Sequence, residues 1–156
     1  VWSGAQDKRM EREQCKGVIV AMLKMREHKS ADPKNGALSV AEAASESVPF
    51  DINRVYYIYG ARNGAQRGAH AHKTLKQVLI CVYGKIEVSL DDGKGDVRTT
   101  VLDDPGCGLF VGPGMWRTMK WLQDDSVLLV LASEHYNEAD YIRDYDEFIE
   151  YGKRRS

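Results

Sequence analysis

Between Arg54 and Ala132 the chain is cut into short apolar or alternating segments by turn residues, and this rhythm constrains its fold more than any other feature. Arg54 to Tyr59 is rich in Val, Ile and Tyr, and Gln77 to Tyr83 is a near-continuous apolar run. Lys85 to Leu90 alternates apolar and polar residues, the pattern of a strand with one buried face. Val97 to Leu102, Leu109 to Val111, Met115 to Leu122 and Val127 to Ala132 continue the series. Asp91-Asp92-Gly93 separates two of them with an Asp-Gly step that supplies the positive φ of a tight hairpin. Asp104-Pro105-Gly106, Gly112-Pro113-Gly114 and Gln123-Asp124-Asp125 punctuate the rest. Short strands at this spacing predict an all-β, antiparallel sandwich or barrel.

The two ends read differently. Val18 to Met25 is the first apolar segment, followed by a polar loop from His28 to Asn35, by Gly36, and by Ala37 to Ala43. Pro49 excludes a continuous central strand through Val48 and Phe50. Val1 to Lys16 is polar and charged and is expected to be a leader: a linker, a short helix or a cloning remnant. The single domain is then expected over 17–156. Near the C-terminus, Tyr145, Phe148 and Ile149 fall at i, i+3 and i+4, which predicts one short amphipathic helix over Asp144 to Lys153.

With 156 residues, 43% hydrophobic and 29% charged, the chain can bury a core without a metal or disulfide staple. Its 22 basic and 23 acidic residues leave a net charge of −1, which argues against nucleic acid as a partner. No apolar run approaches the roughly 20 residues of a membrane-spanning helix, so no membrane partner is expected. Cys15, Cys81 and Cys107 are odd in number and form no C-x-x-C pair, which suits a reducing, cytoplasmic compartment.

The chemistry concentrates in Gly64 to Gly84, which reads G-x5-H-x-H-x4-Q-x6-G. On a strand His70 and His72 share a face, Ala71 takes the other, and Gln77 opens the next strand beside them. Two imidazoles and a neutral amide make a poor site for a divalent metal. No metal is therefore expected. The histidines are candidates for acid–base work near neutral pH. The same pair could equally be hydrogen-bonded interior residues of a non-catalytic barrel.

The spacing resembles the first motif of the cupin superfamily, which implies a jelly-roll β-barrel. Gln77 stands where cupins commonly carry Glu, and the second motif, Pro113-Gly114-Met115-Trp116-Arg117, lacks the usual histidine. VPFDINRVYYIYG, RGAHAHKTLKQ, SLDDG, WRTM and EHYNEADYIRDYDEF together resemble the sugar-nucleotide 3,4-ketoisomerases, from about Gly17 to Tyr151. The resemblance implies an enzyme of dTDP-4-keto-6-deoxyglucose in the routes to 3-amino sugars, working without metal or other cofactor. It implies a homodimer with exchanged N-terminal strands, and such domains also occur fused to an N-acetyltransferase.

Carried onto this chain, the resemblance makes His72 the catalytic base and His70 its partner. It places Arg67 by the nucleotide-sugar and Arg117 over the sugar ring. Asn35 stands where the family shows Arg or Tyr. Tyr57 or Tyr59 is the expected proton donor, Arg62 a second diphosphate contact, and Trp116 either core or a platform for the sugar. The charged run Glu138 to Asp146 is expected to be a solvated approach to the helix. A non-catalytic sugar-nucleotide-binding cupin and an epimerase or dehydratase of a related keto-sugar remain as alternatives. With Arg117 in place, the gluco product, dTDP-3-keto-6-deoxyglucose, is preferred.

Overall fold

The computed structural model describes residues 13–15 and 18–154, with side chains from Val20 onward. Thirteen strands and one α-helix follow one another along these residues. They are β1 (Glu13–Cys15), β2 (Val18–Lys24), β3 (Arg26–Lys29), β4 (Ala37–Val40), β5 (Arg54–Ile58), β6 (Gln66–His72) and β7 (Gln77–Tyr83). After these come β8 (Ile86–Asp91), β9 (Val97–Leu102), β10 (Cys107–Val111), β11 (Trp116–Trp121), β12 (Val127–Ala132), β13 (Tyr141–Ile142) and α1 (Tyr145–Arg154). The strand at Glu13–Cys15 pairs with β2, so part of the expected leader belongs to the sheet. The remainder of that leader lies outside the described residues.

Two antiparallel sheets face each other, one in the order β1-β2-β10-β7-β12-β5 and the other β13-β6-β11-β8-β9. Between them lies the main core of Leu79, Cys81, Ile86, Val88, Leu90, Leu102, Leu109, Val111, Met119, Trp121, Leu128 and Val130. Period-two alternation puts these residues inward on every strand, which makes a jelly-roll barrel of the cupin type. The outer face of the first sheet is covered by Val48 and Phe50, which pack on Val78, Ile80, Phe110 and Leu131. On the outer face of the second sheet, Phe148 of α1 packs with Ala71, Ile142 and Trp116. The strands β3 and β4 form a separate two-stranded sheet. No helix among the described residues is long and apolar enough to cross a membrane.

Candidate active site

The strand carrying the histidines is irregular, and the irregularity builds the site. Along β6 and β11, Arg117 lies opposite His70, but the next residue, Thr118, lies opposite Gly68. Ala69 is therefore an extra residue, and it sits at φ 55° beside Gly68 at φ 91°. Such a bulge reverses the side-chain parity of the strand on either side of it. Residues directly opposite in an antiparallel pair share a face. Met119 is a core residue and its partner is Arg67, so Arg67 starts from the same side of the sheet as His70 and His72, while its own side chain is exposed. Without the bulge, residues three apart would face opposite ways.

His70 and His72 meet edge to face, with ring centroids 5.0 Å apart. The Tyr141 ring packs against both, at 5.1 Å and 4.2 Å. His72 is 1% exposed, and its Nδ1 lies 2.9 Å from Oδ2 of Asp140. The other carboxylate oxygen of Asp140 accepts from the backbone N–H and the hydroxyl of Thr74, each at 2.8 Å. Burial opposes ionisation of Asp140, but the hydrogen bonds from Thr74 and His72 outweigh it and hold the carboxyl below its usual range. An ionised carboxylate only accepts, so the proton of His72 sits on Nδ1 and the lone pair on Nε2.

Both imidazoles are neutral at pH 7. Burial and then the Arg117 charge lower His70 to about 4, against the pull of a hydrogen bond to the Gly68 backbone. His72 is driven down for the same two reasons, with His70 adding to them. His72, the expected base, is the more buried of the pair, and its Nε2 has no hydrogen-bond partner. His70 is half-buried and keeps open ring surface. Of the two imidazoles, His70 is thus the more exposed and His72 the one held by a carboxylate.

Arg117, 2% exposed, is the only charged side chain among the largest fully buried ones of the described residues. Burial lowers its pKa to about 10, so it stays cationic at neutral pH. Its Nε and Nη2 are buried without partners, as are two acceptors, His72 Nε2 and Gln77 Oε1. The Gln77 amide nitrogen donates 2.8 Å to the Tyr56 hydroxyl, which leaves that phenolic proton free to donate elsewhere. Burial raises the Tyr56 pKa despite the nearby Arg117. Open donors and acceptors buried together mark a place built for a polar ligand. Arg54 stacks over Tyr56 and Tyr136, at 5.4 Å and 5.7 Å, and adds positive charge.

Five expected residues fall elsewhere. Tyr57 and Tyr59 are 63% and 71% exposed and stack on each other outside the barrel, because alternation on β5 sends Tyr56 inward instead. Trp116 packs on Tyr145 and Phe148 beneath the helix, since its neighbour Arg117 takes the inward position. Arg62 lies near the Trp121 end of β11, away from His70, and faces Asp124 and Asp125 at 3.8 Å and 3.7 Å. Asn35 is exposed in the turn between β3 and β4 and bonds to Ser30.

The run from Glu138 is not a solvated approach to the helix. It carries the buried Asp140, and Tyr141 pairs with His72 through β13. Sequence reasoning missed Asp140 and Tyr56. The first lies 68 residues from its partner, and the second differs from Tyr57 only in strand parity.

A cupin barrel whose one end gathers neutral imidazoles, a free tyrosine hydroxyl and a buried guanidinium defines an acid–base isomerase of the cupin class. The chain belongs to the FdtA family (WxcM-like, C-terminal) of sugar-nucleotide 3,4-ketoisomerases, whose model matches residues 19–153. It is 44% identical over 123 residues to the TDP-4-oxo-6-deoxy-alpha-D-glucose-3,4-oxoisomerase of Aneurinibacillus thermoaerophilus, covering 79% of this chain and 86% of that one. It is 44% identical to QdtA, a sugar 3,4-ketoisomerase from Thermoanaerobacterium thermosaccharolyticum solved with TDP. That match has a TM-score of 0.80 and covers 87% of this chain and 96% of QdtA. The WlaRB TDP-quinovose 3,4-ketoisomerase of Campylobacter jejuni is 43% identical, with a TM-score of 0.78, covering 87% of this chain and 99% of that one.

Proposed function

We propose that the chain converts dTDP-4-keto-6-deoxyglucose to a dTDP-3-keto-6-deoxyhexose through an enediolate. The observation that carries this reading is Arg117, a buried cation with two open donors beside two neutral imidazoles. The C4 ketone acidifies the C3 hydrogen, and His70 takes that proton on its open face. The charge that develops on oxygen is met by the Arg117 guanidinium and the Tyr56 hydroxyl, donors that stabilise an enediolate more than the ketone. His72 beside His70 is a neutral relay that takes the proton from the C3 hydroxyl and returns one to the C4 oxygen. Return of a proton to C4 leaves the ketone at C3. The sequence needs a base and oxyanion donors, and no electron leaves the sugar.

Arg67 on the His70 side of the sheet and Arg54 beside Tyr56 supply the charge that suits a diphosphate. The gluco product is the preferred outcome, because Arg117 orients the C4 oxygen but cannot itself protonate the ring at neutral pH. A related enzyme described as acting on TDP-quinovose, the 6-deoxyglucose, supports that preference.

The β3–β4 hairpin is a two-stranded sheet of its own, with Leu38 61% exposed, and such hairpins are marginal in isolation. A second copy of this chain is its partner in our reading, and a homodimer would carry Asn35 towards the neighbouring site. The setting is the cytoplasm, in deoxy-amino-sugar synthesis for lipopolysaccharide O-antigen, where a 3-ketone is the form a transaminase accepts.

Proton NMR of the protein incubated with dTDP-4-keto-6-deoxyglucose in deuterated buffer tests the reading. The 3-keto sugar should form with deuterium at C4, and His70→Asn should slow this by about 10²–10⁴-fold while the fold remains intact. An unchanged sugar, or one epimerised with its ketone still at C4, would overturn it.

A further inference from the structure

Asp140 is buried, 7% exposed, and every polar atom of its carboxylate is committed. Oδ2 faces His72 Nδ1, while Oδ1 accepts twice from Thr74. Its backbone is fixed as well, because the Asp140 carbonyl accepts from the Lys73 N–H at 3.0 Å. The neighbouring Tyr141 then joins β6 as a strand, directly opposite His72. The carboxylate therefore arrives at the imidazole on a rigid element, in one orientation.

We propose that Asp140 is a positioning residue of the isomerase, and that it acts by holding His72 in the tautomer whose Nε2 lone pair faces the Arg117 end of the barrel. The inference rests on the functional reading above and extends it to a residue that need not touch the sugar. Its chemistry follows from which atoms can donate. The Thr74 backbone N–H is an obligatory donor, so the atom opposite it must be an oxygen. In Asp140→Asn the amide oxygen must therefore take the Thr74 side, and the NH2 is left facing Nδ1 of His72. Two donors cannot share that 2.9 Å contact. His72 is then forced to move its proton to Nε2.

The consequence falls on the buried polar group around Arg117. Its open acceptors are His72 Nε2 and Gln77 Oε1, and its open donors are Nε and Nη2 of Arg117. With the other tautomer one of the two acceptors becomes a donor and points among cationic donors. The oxygen-borne proton of the sugar then loses its acceptor, whereas Arg67 and Arg54 are unaffected. The turnover rate should suffer and substrate affinity should not.

The test uses the full-length protein and Asp140→Asn, with two readouts. The first is the two-bond proton–nitrogen correlation of the imidazoles in ¹⁵N-histidine-labelled protein, with His72 assigned by its loss in His72→Asn. The wild type should show a neutral ring protonated at Nδ1, and Asp140→Asn a neutral ring protonated at Nε2. The second is steady-state kinetics, in which kcat should fall about 10²–10⁴-fold with KM changed by less than about threefold, as expected for a wrong tautomer.

A wild-type His72 protonated at Nε2 would overturn the proposal without any variant. So would a flipped tautomer with unchanged kcat, or a lost kcat with the wild-type tautomer retained. Should Asp140→Asn fail to fold, the wild-type spectrum alone decides. Because the spectrum needs no substrate, failure of this proposal is distinguishable from failure of the isomerase reading.

Discussion

Gly68→Ala tests the architecture of the site at its narrowest point. Gly68 sits at φ 91°, and a Cβ there would lie 2.7 Å from the Arg117 carbonyl oxygen and 3.2 Å from the Thr118 Cα. Both are backbone atoms, so no side chain can swing away. The positive φ costs an alanine about 1–2 kcal/mol. Forcing β6 and β11 apart costs about 1–3 kcal/mol more, the usual range for overpacking. A loss of about 2–5 kcal/mol lowers the melting temperature by roughly 5–15 °C for a chain of this length.

The same displacement separates His70 from Arg117, which face each other across these strands. Misplacement of catalytic groups by about 1 Å can cost 10²-fold, so the turnover of folded Gly68→Ala should fall by about that factor. Gly95→Ala is the control, since its φ is 98° but nothing lies within 4 Å of the added Cβ. It carries the torsional strain without the clash. Calorimetry and the NMR rate assay are run on both variants. If Gly68→Ala melts within about 2 °C of Gly95→Ala and turns over at the wild-type rate, the bulge does not set the geometry of the site.

Other perturbations separate function from stability. Arg117→Met removes a buried cation whose Nε and Nη2 lack partners, so the melting temperature should hold or rise while turnover drops about 10²–10³-fold; a large loss of stability on calorimetry would contradict this. Tyr56→Phe should slow isomerisation, and Tyr57→Phe should not, because only Tyr56 reaches Gln77 inside the barrel; equal rates in the two variants would remove Tyr56 from the oxyanion site. Depressed imidazole pKa values mean that the unfolded chain binds protons below pH 6.5 that the folded chain refuses until about pH 4. Stability should therefore be flat above pH 6.5 and fall as pH drops through that window, by about 1–3 kcal/mol for His70 after allowance for its solvent contact. Denaturant titrations of wild type and His70→Asn at several pH values measure this, and identical slopes would refute it. Light scattering should show a dimer that is lost when the β3–β4 hairpin is deleted, and an active monomer would contradict a second copy as the partner of that hairpin.

The β-strand rhythm was legible because alternation and turn chemistry are local. So was the shared face of His70 and His72, since two residues apart on a strand is a property of the chain alone. That Trp116 and Arg117 must face opposite ways was equally implicit. Which of them entered the barrel was not, because parity fixes relative faces and only the packing of two sheets and a helix fixes absolute ones. Tyr56 and Tyr57 pose the same problem, and the core chose Tyr56. Arg67 required more: the side it shares with His70 depends on the extra residue at Ala69, a register event between β6 and β11 that no periodicity announces. Asp140 required most, since a carboxylate 68 residues from His72 in sequence becomes its partner only when β13 closes onto β6. The sequence by itself determined the class of barrel and the residue types available to it. Tertiary structure decided which of those residues lost their water together, and so which became neutral bases, a buried cation and the carboxylate that orients them.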